Sequence, residues 1–199
     1  MNNFDDISVV LLSGGNSSRM GKHKAFLKYE GQYLIIKLFD IYEKMGIKNR
    51  ISVMNYKLFN SEYANEIEGI LKSNQVVKNN FPEKGRTYSI RLALEKVKTD
   101  ACFFQNIDNP YVTVELLEKM IDKCTEDNYA VASFNEKGGH PILLGKNVLS
   151  HLKSLTSDDW IMKDELRAFD RVKVEVETDK ILLNINTEDD WNKLLNRKY

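Results

Sequence analysis

The chain has 199 residues, 42% of them hydrophobic, with 29 Lys+Arg against 29 Asp+Glu, three prolines, ten glycines and two cysteines. The balanced charge leaves no global basic footprint for nucleic acid, and so little proline and glycine excludes collagenous or low-complexity architecture. The length fits one domain over residues 1–199, no apolar run approaches the ~20 residues of a membrane helix, and Cys102 and Cys124 read as reduced structural thiols rather than a disulfide framework.

The first six residues are acidic and lack the basic and apolar parts of a secretion signal, so a cytoplasmic location is expected. Ile7 to Leu12 is an apolar run of the buried-strand type that empties into a small, polar, glycine-containing loop. Cationic side chains follow at Arg19, Lys22, Lys24 and Lys28, and no acid occurs from Ile7 to Tyr29. Backbone N–H groups of a glycine-rich turn with cations behind them attract polyanions, which predicts a phosphate-bearing ligand at the carboxyl end of this strand. Residues 29–33 read as a tight turn. Leu34, Ile35, Leu38, Phe39, Tyr42 and Met45 then keep helical spacing up to Gly46.

Arg50 to Asn55 is a second strand, Ser61 to Lys72 a helix, and Gln75 to Lys78 a third strand. The segment Gly85 to Ser89 precedes a helix carrying Ile90, Ala93, Leu94 and Val97. Ala101 to Gln105 is apolar on both faces, as a central strand is, and leads to Asp108 and a helix that Thr113 caps. After Tyr129 come two strands, Ala130–Phe134 and Gly138–Gly145, then helices near 147–155 and 160–169. Val172 to Val176 alternates as a half-exposed strand, Ile181 to Asn186 reads as a strand closing the sheet, and a last helix follows Thr187. This alternation predicts an α/β fold with a mostly parallel sheet covered on both faces and ligands beyond its carboxyl ends. Residues 1–125 form the nucleotide-binding half in this reading, and 126–199 the acceptor-site and closing half.

The loop is neither of the two common phosphate binders. A Walker A sequence ending at Gly21-Lys22 needs glycine where Asn16 stands and Ser or Thr where His23 stands; a G-x-G-x-x-G pattern from Gly14 also meets Asn16. Asp108, held extended before Asn-Pro at the end of a central strand, suits Mg²⁺, though Asp-Asn-Pro also makes an ordinary Asx turn. Asn184 and Asn186, two apart in an extended segment, share one face and offer amide oxygens, while Thr187 and Asp190 have the spacing of a helix cap. With only His23, His140 and His151 in the chain, no zinc cluster is expected.

Leu12, Gly14, Gly15, Ser17, Arg19, Met20, Gly21, Lys24 and Leu27 resemble the signature L-x-G-G-x-S-x-R-M-G-x-x-K-x-x-L of the nucleotidyltransferases that build molybdenum cofactor dinucleotides. Asp108, Pro110 and Val112 are similar to that family's Asp-x-Pro-hydrophobic motif, with Ile107 where Gly or Cys is usual. Asn184 to Asp190 resembles its closing N-x-N-T-P-E-[DE] motif, Glu188 replacing proline, and Gly139-His140-Pro141 resembles its acceptor segment.

The resemblance implies a three-layer α/β/α, Rossmann-like fold of the nucleotide-diphospho-sugar transferase kind. It also implies Mg²⁺-dependent transfer of a nucleoside monophosphate from CTP or GTP to a small phosphate-bearing acceptor, molybdopterin or molybdenum cofactor, with release of pyrophosphate. Arg19, Lys24 and Asp108 are the catalytic residues it implies, and Asp108 with Asn186 the Mg²⁺ ligands. Leu12, Ser13, Gly14, Gly15, Asn55, Asn79, Gly85 and Ser89 are placed on the nucleotide, and Gly139, His140 and Pro141 on the acceptor. The base stays open: Leu-Ser-Gly-Gly and Asn-Ile-Asn-Thr resemble the guanylyl branch, Gly85 to Ser89 and Gly-His-Pro-Ile the cytidylyl branch. Two alternatives stand beside this reading, a sugar- or polyol-phosphate nucleotidylyltransferase and a non-catalytic nucleotide-binding protein.

Overall fold

The computed structural model describes residues 4–13, 23–72 and 74–196. Their elements are β1 (Ile7–Ser13), the hairpin β2 (Lys28–Tyr29) and β3 (Gln32–Tyr33), α1 (Leu34–Lys44), β4 (Asn49–Asn55), α2 (Ala64–Leu71), β5 (Gln75–Asn79) and α3 (Gly85–Leu94). Then come β6 (Ala101–Asn106), α4 (Val114–Lys123), β7 (Asn128–Phe134), β8 (Lys137–Leu144), α5 (Lys146–Ser154), α6 (Met162–Glu165), β9 (Asp170–Glu175) and α7 (Glu188–Asn196). Seven strands form one sheet in the order β5-β4-β1-β6-β8-β7-β9. Only β8 runs against its neighbours β6 and β7; the other pairings are parallel. The carboxyl ends of β1, β4, β5 and β6 therefore share one edge, and the reversed β8 brings its amino end, with Gly138 to His140, to the same edge.

Alternation within the strands makes the three layers. Val9, Leu11 and Phe103 face one side, against Leu34, Ile35, Leu38 and Tyr42 of α1 and Leu116, Leu117 and Met120 of α4. Val10, Cys102 and Phe104 face the other, against Ile90, Ala93 and Leu94 of α3 and Val148, Leu149 and Leu152 of α5. Each large aliphatic or aromatic side chain so buried contributes roughly 1.5–3 kcal/mol relative to exposure. Local signals terminate the elements. Gly46, at φ 94°, ends α1, Glu30 and Gly31 with positive φ turn the small hairpin, and the Thr113 hydroxyl accepts from Leu116 N at 3.2 Å to start α4. Both cysteines are free; burial pushes the Cys124 thiol up to about 11 and that of Cys102 higher still.

Three expectations need correction. The segment Gly85 to Ser89 is the first turn of α3, not a loop before it. Of the helix expected over 160–169, only α6 and a 3-10 turn at Leu166–Ala168 form. Ile181 to Asn186 is not a strand. Thr178 accepts from Lys180 N and starts a 3-10 turn, Asp179–Leu182, after which the chain crosses the end of the sheet instead of lying along it. The alternation read there survives, with Ile185 buried between exposed Asn184 and Asn186, but β9 already holds the sheet edge beside β7.

Candidate active site

The carboxyl edge gathers residues far apart in the chain. Lys24 sits in a 3-10 turn, Lys24–Phe26, that His23 caps. Its ammonium donates to Asp108 Oδ2 at 3.3 Å and to Asn186 Oδ1 at 3.0 Å. Asp108 is there because β6 ends two residues earlier, and its carbonyl accepts from Ile185 N at 2.7 Å, which fixes Asn186 beside it. Asn186 is braced from the other side. Asp190 Oδ2 accepts from Asn186 N at 3.0 Å and Thr187 N at 2.9 Å, and Thr187 Oγ accepts from Asp190 N at 3.1 Å, a reciprocal cap at the start of α7. Two oxygen acceptors thus converge on one ammonium.

A cavity of about 300 Å³ opens beside this cluster, lined by Leu12, Ser13, Lys24, Gly85, Ser89 and Asp108 among others. Ser13 turns its hydroxyl to Val53 O at 2.9 Å, tying β1 to β4. Asn55 and Asn79 do not reach the cavity surface. Asn55 caps the following turn through Lys57 N at 3.0 Å; Asn79, fully buried, donates to Ser89 Oγ at 3.0 Å and accepts from Phe81 N at 2.8 Å. They shape the loops that border the cavity. Arg19, Gly14 and Gly15, with the rest of 14–22, lie outside the described residues.

A second cavity, about 880 Å³, lies on the β8 side, with Gly139, His140 and Asn184 in its wall. Its charged lining among the described residues is Arg86, Lys163, Arg167 and Arg171, without an acid. Pro141 is buried behind it. Gly138 leaves room for the Arg171 guanidinium, and Gly139 for the Ile181 main chain. Arg86 and Asn106 border both cavities. They belong to a directed chain of hydrogen bonds: Arg86 donates to Asn106 Oδ1 at 2.8 Å, Asn106 Nδ2 donates to His140 Nε2 at 2.7 Å, and His140 Nδ1–H points at Phe104 O at 3.4 Å. Burial first, then the Arg86 charge, lower the His140 pKa to about 4, so its ring is neutral and Nε2 accepts. His140 therefore holds Asn106, and Nε2 is already occupied.

The sequence reading groups Lys24, Asp108 and Asn186, which the structure places within hydrogen-bonding distance, and Gly139 with His140, which line a neighbouring cavity. It missed Arg86, Asn106 and the three outer cations. Arg86 had one visible signal, a lone cation between Gly85 and Ser89.

The family model for the MobA-like NTP transferase domain matches residues 9–175. The chain belongs to this family. The curated relatives include the molybdenum cofactor cytidylyltransferase of Escherichia coli K12, 27% identical over 192 residues that cover 93% of each chain. They also include a probable molybdenum cofactor guanylyltransferase of Clostridium perfringens ATCC 13124, 29% identical over 210 residues that cover 96% of this chain and 97% of the relative. Among solved structures, Rv0371c of Mycobacterium tuberculosis H37Rv superposes with a TM-score of 0.78 at 24% identity, over 97% of this chain and 100% of that one. A second structure of Rv0371c, in complex with manganese, gives 0.75 at 22% identity, over 97% of this chain and 100% of that one. The architecture is thus the three-layer nucleotide-diphospho-sugar transferase fold, and the family makes this chain an enzyme of the nucleotidyltransferase class.

Proposed function

We propose that the chain transfers a nucleoside monophosphate from CTP or GTP to a phosphate-bearing acceptor of the molybdopterin kind, with release of pyrophosphate. The observation that carries this is the convergence of Lys24, Asp108 and Asn186 beside a small cavity that meets a larger, cation-lined one. The names of the relatives support both the chemistry and the two candidate bases. In this reading residues 1–125 bind the donor and 126–199 supply most of the acceptor wall.

The donor set fits a hard divalent cation. Asp108 and Asn186 present oxygen alone, and a cationic ammonium already sits between them. Mg²⁺ or Mn²⁺ held there would neutralise phosphate charge during transfer; the similar Rv0371c has been solved in complex with manganese, which supports a divalent cation. Lys24, drawn from Asp108 toward the triphosphate, steadies the departing pyrophosphate. Gly85 and Ser89, in the first turn of α3, border the donor, with Asn79 fixing Ser89 from behind. Arg19 and the Gly14-Gly15 backbone complete the triphosphate site. Attack at phosphorus needs positioning and charge stabilisation more than a strong base, and these residues supply both.

The test is pyrophosphate release with each of the four nucleoside triphosphates, Mg²⁺ or Mn²⁺, and molybdopterin or sugar-phosphate acceptors. Release with CTP or GTP and molybdopterin is the expected result. Release only with a sugar or polyol phosphate would move the chain to a different acceptor class. Failure to bind any nucleoside triphosphate would refute the reading.

A further inference from the structure

Three of the described arginines, Arg50, Arg91 and Arg167, have carboxylate partners. Arg50 donates to Asn74 Oδ1 and Ile47 O and lies 3.5 Å from a Glu43 oxygen; Arg91 meets Asp158 at 2.8 Å and Glu95 at 3.5 Å. Arg86 departs from the pattern. Its single described side-chain partner is the neutral Asn106, and no described carboxylate is in ion-pair contact with it, Asp108 being paired with Lys24. Arg86 is exposed to solvent, and the neighbouring protein still desolvates it enough to lower its pKa, against an upward pull from Asp108. A cation placed so, with most of its donors unspent, is arranged for an anion that arrives from solution.

Its position says which anion. Arg86 is the one charged residue, among those described, that lines both cavities. When a phosphate in one cavity attacks a phosphate in the other, the two meet at this junction. The geometry points to Arg86 as a phosphate-binding residue for both reactants, its planar fork spanning the acceptor phosphate and the donor α-phosphate, with Asn106 and His140 as positioning residues. The inference rests on the nucleotidyltransferase reading and deepens it.

The chemistry explains why a guanidinium belongs there. An ionised oxygen of the acceptor phosphate forms a bond to the α-phosphorus, the bond from that phosphorus to the α,β-bridging oxygen breaks, and pyrophosphate leaves with the electron pair. Two anions must come within bonding distance first, and parallel N–H donors to both lower that repulsion more effectively than a point charge. The hydrogen-bond chain sets the fork. His140 Nε2 takes the Asn106 amide protons, which obliges Asn106 to turn its oxygen toward Arg86. A reversed amide would set donor against donor at Arg86.

The test compares Arg86→Met and Arg86→Lys with the full-length wild type in two measurements, after thermal melts have shown that each variant folds. One is kcat/KM for pyrophosphate release. The other is equilibrium binding, with Mn²⁺, of the P1,P2-di(nucleoside-5′) diphosphate of cytidine or guanosine, whose diphosphate bridge mimics the newly formed linkage. The expected result is a 10²- to 10³-fold fall in kcat/KM for Arg86→Met, the usual range for an oxyanion-stabilising donor. Binding of the diphosphodiester should weaken at least tenfold, with Arg86→Lys intermediate in both. His140→Gln, which still accepts from Asn106, should lose less than His140→Leu, with the difference in acceptor KM more than in kcat. Arg86→Met within threefold of wild type in both measurements would overturn the inference while leaving the proposed function intact. So would a wild type that binds the nucleoside triphosphate but not the diphosphodiester. A wild type that binds neither would refute the proposed function, and the inference with it.

Discussion

Two adjacent glycines in β8 face different obstacles, and replacing each by alanine separates packing from ligand contact. A Cβ on Gly139 would fall inside contact distance of the Ile181 carbonyl oxygen, 2.7 Å from Ile181 Cδ1 and 3.0 Å from the carbonyl carbon. That oxygen cannot retreat freely, because it accepts from the buried Asn109 Nδ2 at 2.8 Å and Ile181 itself is 3% exposed. Overpacking costs about 1–3 kcal/mol and an orphaned buried amide about as much again. Gly139→Ala should therefore destabilise by roughly 2–6 kcal/mol, lowering Tm by roughly 4–24 °C for a domain of this size. A Cβ on Gly138 meets the far end of the Arg171 side chain, which is exposed and free to swing away. Gly138→Ala should shift Tm by no more than about 2 °C, as ordinary surface changes do. Thermal and urea unfolding followed by circular dichroism measure both. Equal melting of the two variants, with only acceptor KM altered in Gly139→Ala, would refute the packing argument and return Gly139 to a direct role at the acceptor.

His140 has a folded pKa of about 4 against an ordinary 6.5, so the neutral ring contributes its full stability above pH 6.5 and loses it as pH falls toward 4, up to roughly 3 kcal/mol by linkage. NMR titration of the His140 ring should give a midpoint well below 6; a midpoint at 6.5 or above would contradict the burial and Arg86 arguments. Thr187→Ala removes the hydroxyl that accepts from Asp190 N and should cost about 1 kcal/mol by denaturant unfolding. Because Asn186 precedes that cap, turnover should fall too, and unchanged activity would show that the cap does not hold Asn186. Lys24→Met should cut turnover by about 10²–10³-fold with little change in Tm, since Asp108 keeps 27% of its side chain in water; a loss of folding instead would make Lys24 structural.

What the sequence made legible follows from the physics of each part. Period-2 and period-3.6 patterns depend on burial against a sheet, so the strands from Ile7 to Phe104 and the Thr113 cap were readable. The segment from Ile181 to Asn186 misled because alternation records which side chains are buried, not whether the backbone has a ladder partner; here Ile185 is buried under a chain with one main-chain bond to Asp108. The helix expected near 160–169 failed for a related reason. Met162 and Leu166 are buried at helical spacing, but the turn tightens to 3-10 at Leu166 and passes into β9. In the site, Asp108 and Asn186 were legible because motif residues carry their chemistry in their type and place. Asn106 and His140 meet through the register of β6 against β8, and Arg86 joins them from α3, long-range placements that no local pattern encodes.

Whether Lys24, Asp108 and Asn186 form the reacting end of a nucleotidyl-transfer site is decided by Asp108→Asn. The substitution keeps the shape of the side chain and its place beside Lys24 while removing the negative charge. With the donor and acceptor that the wild type turns over, pyrophosphate release by Asp108→Asn should fall by at least about 10³-fold at saturating Mg²⁺ or Mn²⁺, the scale expected when charge stabilisation at phosphorus is removed. Its Tm should stay within a few degrees of wild type. Release at a near wild-type rate would contradict the account and place the chemistry elsewhere in the protein.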